Sequence, residues 1–107
     1  MNNLGNKTGS SNADNATVID FTDVVDGSDS FMLMSTGGAM DVYVTLDGTN
    51  YSTAPLSLAD LGGTSTDPVL VTVAGRLFGF RGMFKGIRVL QAGGVAVTAA
   101  VLRYGTM

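Results

Sequence analysis

With 107 residues, no cysteine and no histidine, the chain has room for one modest core. It lacks a disulfide framework, a thiolate metal site and the side chain used most often as a general base or metal ligand. The hydrophobic fraction is 45% and only 14% of residues are charged, so the composition is not that of a disordered chain and much of the surface carries no charge. The net charge of −3 conceals an asymmetry: all nine acids are Asp at or before Asp67, whereas Arg76, Arg81, Lys85, Arg88 and Arg103 follow it and Lys7 is the one earlier base. That pattern reads either as pairing inside an interleaved β-domain or as two oppositely charged faces.

Residues 1–16 are rich in Asn, Gly and Ser and hold one large apolar residue, Leu4, so they read as a flexible N-terminal arm ahead of a folded domain, 17–107. The arm has no apolar core of the kind a signal peptide requires. The β-branched run Thr17–Phe21 predicts a strand, and Asp26-Gly27 a turn after it. Ser30–Ser35 is an apolar run of strand length, broken by Gly37-Gly38. From Asp41 to Leu46 the residues alternate, which predicts Val42, Val44 and Leu46 on one face and Tyr43 and Thr45 on the other. Asp47-Gly48 is a hairpin signal.

Leu56, Leu58 and Leu61 predict a short strand or a single helical turn, opened by Pro55, and Gly62–Pro68 is a loop. Val69, Val71 and Val73 alternate with Leu70, Thr72 and Ala74 and predict a further strand. Leu77–Phe80 is expected to pack on the core. Phe84–Gln91 predicts a strand with Ile87 and Val89 inward and Lys85 and Arg88 at its rim. Val95–Tyr104 predicts a last, long strand with apolar residues on both faces, as expected of a covered strand. Seven or eight short strands with turns every 8–12 residues predict an all-β fold, an antiparallel β-sandwich or jelly-roll-like barrel.

Little in the chain points to catalysis. A Ser–Lys pair needs a buried lysine, whereas Lys7 lies in the arm and Lys85 at a strand rim. The carboxylates cluster at turns, beside Gly or Ser, where Asp is favoured for backbone reasons. Asp20, Asp23, Asp26 and Asp29 recur at every third position, which reads as a Ca²⁺-binding turn or as a solvated acidic turn, without the alternate-acid spacing of an EF-hand. Asn6, Asn15 and Asn50 each begin an N-x-[ST] sequon of the kind that arises by chance in an Asn/Thr-rich chain. Arg76, Arg81, Lys85 and Arg88, interleaved with Phe78, Phe80 and Phe84, could line a single-stranded nucleic-acid surface, but an acidic chain argues against one. No enzyme, cofactor, metal, nucleic-acid or membrane role is expected.

Two segments carry a family resemblance. Asp41-Val42-Tyr43-Val44-Thr45-Leu46-Asp47-Gly48-Thr49-Asn50-Tyr51 resembles the strand and D-G-T-N-aromatic hairpin of small tailed-bacteriophage virion β-sandwich proteins. Phe84-Lys85-Gly86-Ile87-Arg88-Val89-Leu90-Gln91 resembles the aromatic-K-x-I-R-V strand that follows in them. The resemblance implies a capsid decoration (cement) protein, made in the host cytoplasm, that binds the assembled head at the virion surface and stabilises it. The implied partners are the major capsid protein or another virion protein, with self-association into a homo-oligomer such as a trimer. A head or tail fibre, tail or adaptor component is the second reading. A carbohydrate-binding β-sandwich presenting Tyr43, Tyr51 and Tyr104 is the third. The expected contact residues are Leu4 and Lys7 in the arm and Arg76, Arg81, Lys85 and Arg88 at the charged rim.

Overall fold

Alternating burial along the strands sets the architecture: each presents one apolar face, and two sheets bury those faces against each other. The structure is a computed structural model. It describes residues 2–24, 28–63 and 67–106, with residues 2–4 described through their main chain. The strands are β1 (Asn2–Ser11), β2 (Thr17–Phe21), β3 (Ser30–Gly37), β4 (Met40–Thr45), β5 (Ala59–Asp60), β6 (Phe78–Arg81), β7 (Gly86–Gln91) and β8 (Val97–Thr106). One antiparallel sheet has the order β1-β8-β3-β6-β5 and the other β2-β7-β4. The fold is the expected all-β sandwich. Phe31, Leu33, Phe78, Val97 and Leu102 come to the core from the larger sheet and Met40, Val42, Ile87 and Val89 from the smaller.

The segment read as an arm is instead the edge strand of the larger sheet. β1 pairs antiparallel with β8 from Asn2↔Thr106 to Ser11↔Val97. Two glycines permit this by letting the strand approach its neighbours closely: a Cβ on Gly5 would overlap the Tyr104 ring and one on Gly9 would overlap the Val18 carbonyl. The corner between β1 and β2 is fixed by the fully buried Gln91, whose Oε1 accepts from Ser11 Oγ at 2.6 Å and whose Nε2 donates to the Gly93 carbonyl at 2.8 Å. Asn15 turns that corner with φ of 62°, a left-handed conformation that Asn tolerates better than most residues.

Three other expectations give way. Val69–Ala74 forms no strand beyond a bridge from Val69 to Leu58. It straps the end of the sandwich: Thr72 exchanges bonds with Met40 of the smaller sheet, and the Gly75 N–H donates to the Ser35 carbonyl of the larger. Leu70, Val71 and Val73 are therefore exposed. Leu46 is 75% exposed, because β4 ends at Thr45 and the chain turns away into the hairpin. β8 is covered on one face only. Its register slips against β3 between Thr36 and Gly37, a β-bulge at which Thr98 Oγ1 donates to the Thr36 carbonyl at 3.1 Å. Val97, Ala100, Leu102 and Tyr104 face inward, while Ala99, Val101 and Arg103 face solvent.

Because β1 is held by close backbone approach, Gly9→Val should destabilise the fold by about 2 kcal/mol through overpacking, measured by thermal or urea unfolding. A neutral effect would mean that β1 is not an integral strand.

Candidate functional site

The asymmetric charges resolve into pairs across the fold. Lys7 in β1 meets Asp23 at 3.3 Å, with its ammonium 5.0 Å from the Phe21 ring centre. Arg76 meets Asp60 at 2.7 Å, Arg81 meets Asp29 at 3.5 Å, and Arg88 meets Asp20 at 3.3 Å. Arg76, Arg81 and Arg88 from the second half are each matched to an acid from the first because the strands interleave. Of the predicted contact residues, Lys7, Arg76, Arg81 and Arg88 are thus engaged in ion pairs. Lys85 lies along the hairpin, its stem beside Gly48. The Leu4 side chain lies outside the described residues. Asp20, Asp23 and Asp29 point to different cations, and Asp26 is outside the described residues. Among the described residues no three acids gather as a cation site.

Two surfaces remain as candidates. The first is the outer face of the smaller sheet, where the two resemblance segments meet, since β4 and β7 are antiparallel neighbours with Tyr43 opposite Arg88. Asp47 locks the hairpin: its carboxylate accepts from the Thr49 and Asn50 N–H groups at 2.8 Å each, from Thr45 Oγ1 at 3.0 Å and from Asn50 Nδ2 at 2.7 Å. Those donors, led by the Asn50 and Thr49 backbone, hold its carboxyl well below the usual carboxylate range. The hairpin delivers Tyr51, whose ring is covered on one face by the Arg88 guanidinium at 3.8 Å and whose hydroxyl donates to Asp20 at 3.2 Å. Tyr43 donates to Asp41 at 3.1 Å. Both phenols titrate above their ordinary value, mainly through burial and then through the neighbouring carboxylate. One face of the Tyr51 ring and both hydroxyl protons are thus engaged within the protein, an arrangement that strengthens the sheet.

The second surface is the outer face of the larger sheet, with Met32 half-buried and Met34 and Val101 exposed. At its β6–β5 end lies an open cavity of about 730 Å³, lined by Met32, Leu58, Leu61, Pro68 and Gly79 among others. Ser30, also in its lining, is 5% exposed, and its hydroxyl is buried without a hydrogen-bond partner. Sequence reading missed this face because Phe31–Met34 is continuously apolar and looks covered on both sides, and because the bulge at Thr98 reverses the parity of β8. Of the predicted contact residues whose side chains are described, only Arg81 reaches the cavity.

Asp60 is 6% exposed at its side chain and relies on Arg76 and on a 3.3 Å bond from the Gly62 N–H. Arg76→Ala should therefore cost about 2 kcal/mol, with partial recovery in Arg76→Lys, read by urea unfolding. Asp41 behaves oppositely. Burial, with a smaller push from Asp14, raises its carboxyl above the usual range despite the Tyr43 bond, and its Oδ1 is buried without a partner. The charged form thus weakens the fold, and acidification relieves the cost. Asp41→Asn should raise the unfolding temperature at neutral pH. The gain should be full above the raised folded value and gone below the unfolded value of about 4. A pH-independent difference would refute this.

No protein-family model and no curated protein matches the sequence. Among solved structures the fold is similar to that in "Crystal structure of SPBc2 prophage-derived protein YomS", with a TM-score of 0.59 over 98% of this chain and 97% of that one. Sequence identity is 13%, so the likeness is one of fold, extending end to end and including β1.

Proposed function

We propose that this chain is a non-catalytic structural protein of a bacteriophage particle, acting as a decoration protein that binds the assembled head. The observation that carries the reading is the end-to-end likeness in fold to a prophage-derived protein. The two segments that resemble phage virion proteins support it, being adjacent strands of one sheet. The surface chemistry supports it too. Lys7, Arg76, Arg81 and Arg88 are each tied to a carboxylate, and the phenols of Tyr43 and Tyr51 are bonded internally. Among its exposed residues are the large apolar side chains of Met34, Leu70, Val71, Val73, Val95 and Val101, suited to protein contact.

Since β1 is part of the sheet, head binding through an ordering arm is replaced by docking through a preformed surface. The end of the sandwich beyond β3 and β4 suits that role. There the strap exposes Leu70, Val71 and Val73, and the turn before β8 exposes Val95. A subunit that seats this end on the assembled shell, and not on free capsid subunits, stabilises the shell by mass action.

The test is mass spectrometry of particles purified from the strain that carries the gene, with heads and tails separated. Peptides of this chain should co-purify with heads at stoichiometric abundance. Recovery with tails would make it a fibre, tail or adaptor component, and presence in the lysate with absence from particles would refute a virion role.

A further inference from the structure

The outer face of the larger sheet is ordered by ladder register. One row crosses all five strands, from Asn6 through Arg103, Met32 and Gly79 to Ala59. The next carries Thr8, Val101 and Met34. Met34 is 47% exposed, Val101 42% and Leu61, which folds over Gly79, 54%. Apolar groups on adjacent strands make this a continuous patch.

The patch is bounded by opposite charges. On the β8 side Arg103 donates to Asn6 Oδ1 at 3.3 Å and, among the described residues, meets no carboxylate. On the far side the exposed Asp67 lies at the lip of the cavity beside Pro68 and Leu61. Arg81, which lines the same cavity, is tied to Asp29 at 3.5 Å, so the margins carry Arg103 on one side and Asp67 on the other, an arrangement that is complementary to itself when turned over.

We propose that this face is a two-fold interface with a second copy of this chain. With the axis along β3, Met32 and Met34 of one subunit meet the same residues of the other. Val101 and Arg103 then lie over the partner's β6–β5 side, where the cavity and Asp67 are. Both halves of the contact are made twice, as an isologous interface requires, and the assembly closes at two subunits. The cavity, with its unpartnered Ser30 hydroxyl, receives side chains from the β8 side of the second copy, and methionines adapt readily to such a seam. The molecule measures 34 × 31 Å in its two longer dimensions, enough for the roughly 800 Å² per partner of a standard interface. The sandwich ends, including Leu70, Val71, Val73 and Val95, stay clear of this face and remain open to other contacts.

The experiment is analytical ultracentrifugation of the purified full-length chain at micromolar to sub-millimolar concentration. Wild type should sediment at twice the chain mass. Met34→Glu, at an exposed position, should keep the circular dichroism of wild type and weaken association at least about tenfold. Arg103→Asp and Asp67→Arg should each weaken it about tenfold, and the double swap should return it to within a few-fold of wild type. A monomeric wild type overturns the proposal and leaves the face to another partner. A dimer indifferent to Met34→Glu places the contact elsewhere, and a double swap no better than its parents overturns the two-fold pairing. The measurement is made on the chain alone, so its failure is distinct from failure of the particle reading, which is scored on purified particles.

Discussion

The ring of Tyr104 is the contact on which the arrangement of both sheets depends. It stacks on Phe21 of β2 with centroids 5.5 Å apart and lies 6.1 Å from Phe31 of β3, so one side chain joins the smaller sheet to the larger. Phe31 continues the series to Phe80 at 4.9 Å and to Phe84 at 5.7 Å. Aromatic pairs of this kind add to the stabilisation from burial alone. On the other side the ring occupies the space that a side chain at position 5 would need. An edge strand almost without apolar side chains is therefore fixed in place by the aromatic core. The same packing fixes which face of β8 is inner, and so which residues remain for recognition.

Interleaving also explains the electrostatics. A chain with its acids in one half and most of its bases in the other has two separated charge blocks when extended. In the sandwich, β2 pairs with β7 and β3 with β6, so the blocks are brought together strand by strand. Asp20 faces Arg88 in a ladder pair, and Asp29 and Arg81 sit at the linked ends of β3 and β6. Half-exposed pairs such as these contribute little to stability individually. Arg103 stands outside this scheme because β8 lies between β1 and β3, neither of which places a carboxylate beside it.

Much of the fold is legible from hydrophobic periodicity, because side-chain burial is what forms it. The strand at Thr17–Phe21 has the predicted limits, β3 begins at the predicted Ser30, and Ile87 and Val89 face inward as their alternation requires. The failures occur where something other than side-chain hydrophobicity decides. β1 is held by a main-chain ladder and by the absence of side chains at Gly5 and Gly9, which a periodicity search cannot register. The valines at 69, 71 and 73 alternate convincingly, but the segment spans from one sheet to the other and forms no continuous ladder with either. Thr72, a polar residue, is the buried one because its hydroxyl accepts from the Met40 N–H. The charge asymmetry was visible, and pairing was one of its two readings. Choosing between them required knowing which strands are neighbours.

The bulge at Thr98 links this fold to its surface. With strict alternation through β8, Val97, Ala99 and Val101 would share a face, and Leu102 and Tyr104 would lie opposite Val97. Tyr104 could then join the aromatic series only if Val97 were turned out. The extra residue lets both point inward, and it is stitched to β3 by the Thr98 and Thr36 hydroxyls, 2.9 Å apart. Its consequence is that Val101 and Arg103 both face solvent beside Met32 and Met34 of β3. An irregularity required by the core thereby produces an exposed apolar patch with a cation at its margin.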